Sequence, residues 1–483
     1  MTERIAISLY RGRARPPAAR YRLLLVTSTF PPDQEAGARR WEMLAKHLND
    51  SDMALDVATM DPSHVVDPDW ERVRDLPQNV RAFGIVIREP HPAWRLLRSI
   101  ARRNERWLRS TEHNTGPRNS AESGPTRSPG ELIRIPRSLE DLQRLYVIIW
   151  ELITGRRWAA DVARAVTPFV AENDYDVVIS SGPSHWAHLA GEVLGRTAQV
   201  PWVMEFRDPW SLAPSIAPAR ANLLHYDIAR YYERRLIRRA AMVLTVTDQM
   251  SRDLASAYPS LPSRIVTIRN GSDDDPGPPP LRSRFVVCYA GSIYLDRDPR
   301  PLFEASRLVV RRLELRPEDF ELRFIGNVES YGDRATKEIA RDEGVLDYVT
   351  FLPQMPRHEL KDHLAEASVL VSLPQNHTHA IPAKIFDYVR QPSWLLAITD
   401  RESEVARILR NTSADVLDPN DTEEIALAIE AHYREFQSGV VPSPADVGML
   451  LGRSAQADLL VEQLTQHIFE ARPKRSPGVA HGS

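Results

Sequence analysis

Short, continuously apolar runs alternating with helical patterns constrain this chain more than any other feature. Arg22–Ser28 (RLLLVTS) is apolar without polar alternation, as a strand buried on both faces must be. Similar runs recur at ALDVATM (54–60), AFGIVI (82–87), DVVISS (176–181), PWVMEF (201–206), MVLTVT (242–247) and RIVTIR (264–269). Helical periodicity lies between most of them; Trp186, Leu189, Ala190, Val193 and Leu194 share one helix face. Strands alternating with helices predict a parallel sheet covered on both sides. A Pro-rich run, DDDPGPPPLRS (273–283), breaks the pattern, which then restarts. Further strands are expected at RFVVCYAG (284–291), ELRFIG (321–326), YVTFLP (348–353), VLVSL (369–373), WLLAI (394–398) and ADVL (414–417). Helices are expected at 301–314, 333–343, 357–367, 383–390, 401–410 and 422–436.

The sequence therefore predicts two α/β domains of one kind in tandem. The expected layout is a flexible basic N-terminus (1–20), a first domain (21–275), a linker (276–283), a second domain (284–445), a closing amphipathic helix (446–470) and a disordered tail (471–483). Residues 111–138, rich in Ser, Pro, Gly and Asn, read as a disordered insertion in the first domain. A chain of 483 residues with 42% apolar content can fill two such cores.

The net charge of −3 gives no general pull toward nucleic acid, which is not expected as a partner. The single cysteine, Cys288, excludes an internal disulfide and suits a reducing cytoplasm. No apolar run approaches the roughly 18 residues that span a bilayer, and no signal-peptide core is seen. A cytoplasmic location follows, with one open question at the membrane. The patterns at 92–109 and 144–158 combine tryptophans with many arginines; they fit either a solvated arginine face or a helix lying on an anionic membrane at the inner face.

The stretch PQNHTHAIPAKIFDYVRQP (374–392) is the first candidate site. A buried strand, VLVSL, feeds a loop and then a helix from about Ala383, with Ile385, Tyr388 and Val389 on its inner face. The first amides of a helix lack internal partners, and its dipole favours an anion there. Lys384 adds a positive charge at that mouth, and Asp387 is placed to accept from a sugar hydroxyl.

The strand-end segments strengthen this reading. TSTFPP with Gly37 (27–38), SGPSHWAHLAG, PWVMEFRDPW, RIVTIRNGSD with Asn270-Gly271, YAGSIY with Gly291, FIGN, FLPQMP and IPAKIFDYVRQP together resemble a family 4 glycosyltransferase. The match runs from about Arg22 to Phe469. The resemblance implies a GT-B fold: two Rossmann-like parallel-sheet domains facing a central cleft, with the C-terminal helix crossing back to the first domain. It also implies retaining, metal-independent transfer of a sugar from a nucleotide diphosphate sugar to a glycan or lipid-linked acceptor, in polysaccharide or glycolipid synthesis, with no cofactor.

Carried over residue by residue, the resemblance implies donor contacts from Gly37, Gly291, His379, Ile381, Pro382, Ala383, Lys384 and Asp387. Two glutamates usual in the family fall on His379 and Asp387, so a histidine and a shorter carboxylate stand in their places. Ser292 replaces the usual arginine, which leaves Arg297 and Arg300 to neutralise the diphosphate. The departing diphosphate needs its growing charge stabilised by such groups and by backbone amides, and Lys384 is the expected catalytic cation. Asp208 and His185 are expected to orient the acceptor hydroxyl. Asp273-Asp274-Asp275, in the Pro-rich run, and His377 with His379 are not expected to bind metal. Alternatives are a non-catalytic GT-B module and a GT-B sugar-nucleotide epimerase.

Overall fold

A computed structural model describes residues 7–12, 19–65, 67–86, 139–212, 223–261, 264–271, 282–293, 297–375, 381–445 and 452–470. The expected insertion (111–138), the 92–109 pattern, most of the linker, the tail, His377 and His379 lie outside these residues, as do Asp273-Asp274-Asp275.

The first sheet has eight strands in the order β1-β4-β3-β2-β5-β6-β7-β8. They are β1 (Ile7–Arg11), β2 (Tyr21–Thr27), β3 (Met53–Met60), β4 (Val80–Ile85), β5 (Val177–Gly182), β6 (Trp202–Phe206), β7 (Met242–Thr245) and β8 (Arg264–Thr267). All neighbours are parallel except β1, which runs antiparallel to β4. β2 shows why a continuous apolar run was needed. Leu24 and Val26 enter one core, while Leu23 and Leu25 enter the core on the opposite face, because successive side chains of a strand point opposite ways.

The second sheet contains β9 (Phe285–Ala290), β10 (Phe320–Ile325), β13 (Val349–Leu352), β14 (Val369–Ser372), β15 (Trp394–Ile398) and β16 (Asp415–Leu417). It is wholly parallel, in the order β13-β10-β9-β14-β15-β16. A small hairpin, β11 (Ser330–Tyr331) with β12 (Arg334–Ala335), stands apart from it. Phe285, Val287 and Tyr289 face one core, and Val286, Cys288 and Ala290 the other.

Every strand expected after residue 20 is present, with ends shifted by a residue or two. The expectation of a loose N-terminus over 1–20 is corrected at residues 7–11. Once β4 has paired with β3, its outer edge presents unpaired N–H and C=O groups, and Ile7–Arg11 covers them. The Tyr10 hydroxyl then donates to the Pro31 carbonyl at 2.8 Å, fixing the strand against the first loop.

The closing helix, Arg453–Leu464 with a final turn to Phe469, returns to the first sheet. Ala457, Leu460, Leu464 and Ile468 join the core containing Leu23, Leu25 and Trp41. Phe469 stacks on Tyr21 at 4.0 Å between ring centroids, and Gln456 Oε1 accepts from the Arg269 amide at 2.6 Å. No helix among the described residues is long and apolar enough to cross a membrane.

Candidate functional site

In each sheet the strand order reverses direction at one place. In the first sheet β2 sits between β3 and β5; in the second β9 sits between β10 and β14. A crevice opens beyond the carboxyl ends of strands at such a reversal. The loops after β2, β5, β6, β9 and β14 carry the expected site residues.

After β14 the chain enters the helix Ala383–Tyr388, with Pro382 at its N-cap. Ile381 is buried, and Pro382 and Ala383 form the helix entrance. Lys384 points inward. Its Nζ lies 3.8 Å from the Tyr289 ring centroid and, though buried, has no hydrogen-bond partner among the described residues. Burial pulls the Lys384 amine well below the usual lysine range, and Arg297 adds repulsion. Gly291, directly after β9, makes room for the ammonium: a Cβ there would stand 2.6 Å from Nζ. Its φ of +141° also favours glycine. The structure thus brings Lys384 and Gly291 together.

The remaining donor-side residues are less uniform. Arg297 Nη1 reaches the Ser292 carbonyl at 3.4 Å. Arg300 is engaged by Asp298 through contacts of 2.8 and 2.9 Å from Nε. That loop is tied to the end of β14 by Gln375, which bonds the Asp298 amide at 2.9 Å and its carbonyl at 2.7 Å. Asp387, one turn into the helix, faces Arg39 of the first lobe with Oδ2 3.8 Å from Nη1.

On the first lobe, His185 stacks on Trp210 with 5.2 Å between centroids, packed against Gly182, where a Cβ would stand 2.5 Å from Nδ1. Asp208 is exposed at the end of β6. Gly37 is occupied from above: a Cβ there would lie 2.2 Å from Arg207 Nη1. The glycine gives space to a guanidinium.

Sequence reasoning missed three residues. Arg207 and Arg39 were legible only as charges within FRD and GARR. His188 is wholly buried beside His185. The Trp202 indole N–H donates to Ser180 Oγ at 2.8 Å, and an indole can only donate. Ser180 Oγ also lies 2.8 Å from His188 Nδ1, so one hydroxyl bridges the indole and the imidazole. Burial lowers the His188 pKa well below the usual value and keeps the ring neutral. Among the described residues, no group of three or more His, Cys, Asp or Glu side chains converges as a metal site would.

Two parallel sheets meeting through strand-end loops, with the last helix returning to the first, define a GT-B fold. Solved structures share it across nearly the whole chain. A sucrose-phosphate synthase from Thermosynechococcus elongatus superposes with a TM-score of 0.56 at 16% identity, covering 94% of this chain and all of that one. An alpha,alpha-trehalose 6-phosphate synthase from Burkholderia multivorans gives 0.57 at 13% identity, covering 95% of this chain and all of that one. At these identities the likeness establishes the fold alone. A sequence model described as Glycosyltransferase Family 4 matches residues 122–276. A D-inositol 3-phosphate glycosyltransferase of Gordonia bronchialis is 28% identical over 205 residues, 37% of this chain and 44% of that protein, so the match spans less than half of the relative. The resemblance to family 4 glycosyltransferases read from the motifs is thereby borne out.

Proposed function

We propose that the protein is a glycosyltransferase. It takes a sugar from a nucleotide diphosphate sugar and passes it to a glycan or lipid-linked acceptor with retention of configuration and without a metal ion. The observation that carries the reading is Lys384, whose buried amine has no hydrogen-bond partner among the described residues, at the reversal point of the second sheet, with Gly291 keeping the space around it. A buried cationic group with spare N–H donors is costly unless an anion completes it. The departing diphosphate supplies that anion, and Lys384 with Arg297 neutralises the charge that grows as the sugar–phosphate bond breaks. His185 and Asp208 face the acceptor from the first lobe.

Thermal shift against UDP-, GDP- and ADP-sugars identifies the donor class. Released nucleotide then reports turnover. Slow release that Lys384→Ala abolishes, and that persists in EDTA, supports the proposal. Tight binding without release points to a non-catalytic module, and interconversion of free nucleotide sugars to an epimerase.

We also propose that the first lobe rests on an anionic membrane surface. The helix Leu223–Ile237 and the residues after it expose Arg230, Tyr231, Arg234, Arg235, Arg238 and Arg239. Tyr231 is 63% exposed, and Ile149 and Ile153 are exposed on the long helix Leu139–Glu172, which reaches Tyr232 through Arg156 at 5.9 Å. Arginines beside exposed apolar groups suit a headgroup layer. Co-sedimentation with phosphatidylglycerol vesicles that salt weakens supports this; no sedimentation even at low salt overturns it.

A further inference from the structure

We infer that Glu233 is a positioning residue of the acceptor side: through Ser211 it anchors the loop after β6, and so holds Trp210 against His185 and sets the place of Asp208. The inference rests on the glycosyltransferase reading, in which His185 and Asp208 face the acceptor, and adds the group that keeps them in place.

Glu233 lies on the helix Leu223–Ile237 and is wholly buried. Its Oε2 accepts from the Ser211 amide at 3.0 Å. Its Oε1 accepts from the Ser211 hydroxyl and from the Tyr258 hydroxyl, both at 2.6 Å. Both oxygens are thereby used, and the loop residue Ser211 supplies two of the three donors. Burial pushes the Glu233 pKa up, against the pull of the bonds from Ser211 and Tyr258. Burying a carboxyl carries a free-energy cost that hydrogen bonds offset only in part, and an apolar side chain of similar size would pack there with less strain on stability. Core packing alone therefore does not account for a glutamate here; the loop it holds does.

That loop is a short span between two fixed points. At one end Arg207 donates to the Gly182 carbonyl at 3.3 Å and to the Pro183 carbonyl. At the other end Ser211 is bonded to Glu233. Asp208, Pro209 and Trp210 lie between. A small apolar cavity sits under the span, lined by Phe206, Pro209, Trp210, Met250 and Leu254 together with Glu233. A void supplies no dispersion contacts on its side, so the bonds at the two ends hold more of the loop's position than packing beneath it does.

Trp210 carries the anchor to the site. Its indole stacks on His185 with 5.2 Å between centroids and 18° between planes, and on Tyr232, the residue before Glu233, at 6.4 Å and 16°. The bond from Ser211 to Glu233 thus fixes the backbone one residue from the ring that touches His185, and three residues from Asp208. Glu233 itself is buried away from any substrate, so its effect passes through the loop.

The test reads the loop and the reaction separately. In full-length protein carrying isotope-labelled histidine, the His185 ring resonance is the one missing from His185→Gln, and Trp210→Leu marks its position without the stacked indole. Glu233→Leu keeps an apolar volume but offers Ser211 no acceptor; it should move the resonance most of the way to the Trp210→Leu position. Glu233→Gln, whose amide oxygen still accepts from Ser211, should restore most of the wild-type position. Nucleotide release from the donor sugar should fall about tenfold to a hundredfold in Glu233→Leu, as misplacement of orienting groups predicts. Nucleotide Kd should stay unchanged, because the donor contacts lie on the other lobe. A His185 resonance unmoved in Glu233→Leu overturns the inference, as do a moved resonance with unchanged release and equal losses in Glu233→Gln and Glu233→Leu. Should Glu233→Leu fail to fold, Ser211→Ala, which removes one of the two loop bonds, should move the resonance part of the way in the same direction; no movement overturns the inference. A wild-type protein that releases no nucleotide from any donor sugar defeats the glycosyltransferase reading, while the resonance still decides whether Glu233 holds the loop.

Discussion

Replacing Lys384 by Met should make the nucleotide-free protein more stable and the nucleotide complex weaker. Methionine is close to lysine in length and fills the space over Tyr289 and Gly291 without a charge. In the free protein the lysine carries one of two costs: a buried ammonium with no partner, or an amine held neutral at pH 7. Either one destabilises the empty site, because burial disfavours the charged amine and holding it neutral opposes its normal basicity. Relaxation and the contact with the Tyr289 ring reduce the cost, and exchange of buried ionic groups for apolar ones commonly returns about 1–4 kcal/mol. At roughly 2–4 °C per kcal/mol for domains of this size, Lys384→Met should melt several degrees higher than the wild type by differential scanning fluorimetry. The same variant loses charge-assisted hydrogen bonds to the diphosphate, worth about 1.5–3 kcal/mol. That is roughly a 10- to 150-fold rise in Kd at ~1.4 kcal/mol per tenfold. The two effects must appear together if, as proposed, the site is built to hold an anion beside Lys384. A Lys384→Met protein that melts lower than wild type, or that binds nucleotide equally well, would refute the reasoning.

Three further expectations follow from single contacts. Gly291→Ala puts a methyl group 2.6 Å from Lys384 Nζ at a φ of +141°, so nucleotide-induced thermal shift should largely vanish; a normal shift would show that the ammonium sits elsewhere. His432, stacked on Trp394, bonds Asp415 at 2.7 Å and Glu435 at 3.1 Å, and although burial opposes its charge, these carboxylates raise its pKa. A folded pKa above the unfolded 6.5 means stability present below pH 6.5 and lost as pH rises through the folded value; urea melts from pH 6 to 9 should fall for wild type and lie flatter for His432→Gln. Leu460 is wholly buried in the core shared by the closing helix and the first sheet, so Leu460→Ala should cost about 2–5 kcal/mol, read as a lower urea midpoint; a cost under 1 kcal/mol would show that the helix is not part of that core.

The sequence alone determined the strands after residue 20 and the tandem arrangement of two parallel sheets. Burial on both faces leaves an unbroken apolar run that needs no partner to be recognised, as RLLLVTS and FVVCYA show. Lys384 was legible for a related reason: strand, loop and helix entrance adjoin in sequence, so the charge at the mouth is a local fact. Tertiary structure decided the rest. Ile7–Arg11 becomes a strand only because β4 offers an edge some seventy residues later. The space over Gly37 belongs to Arg207, the carboxylate of Asp387 meets Arg39, and Ser180 bridges Trp202 and His188. Each of these depends on atoms brought together by sheet order and lobe packing, and hydrophobic period carries no record of which distant polar groups will meet.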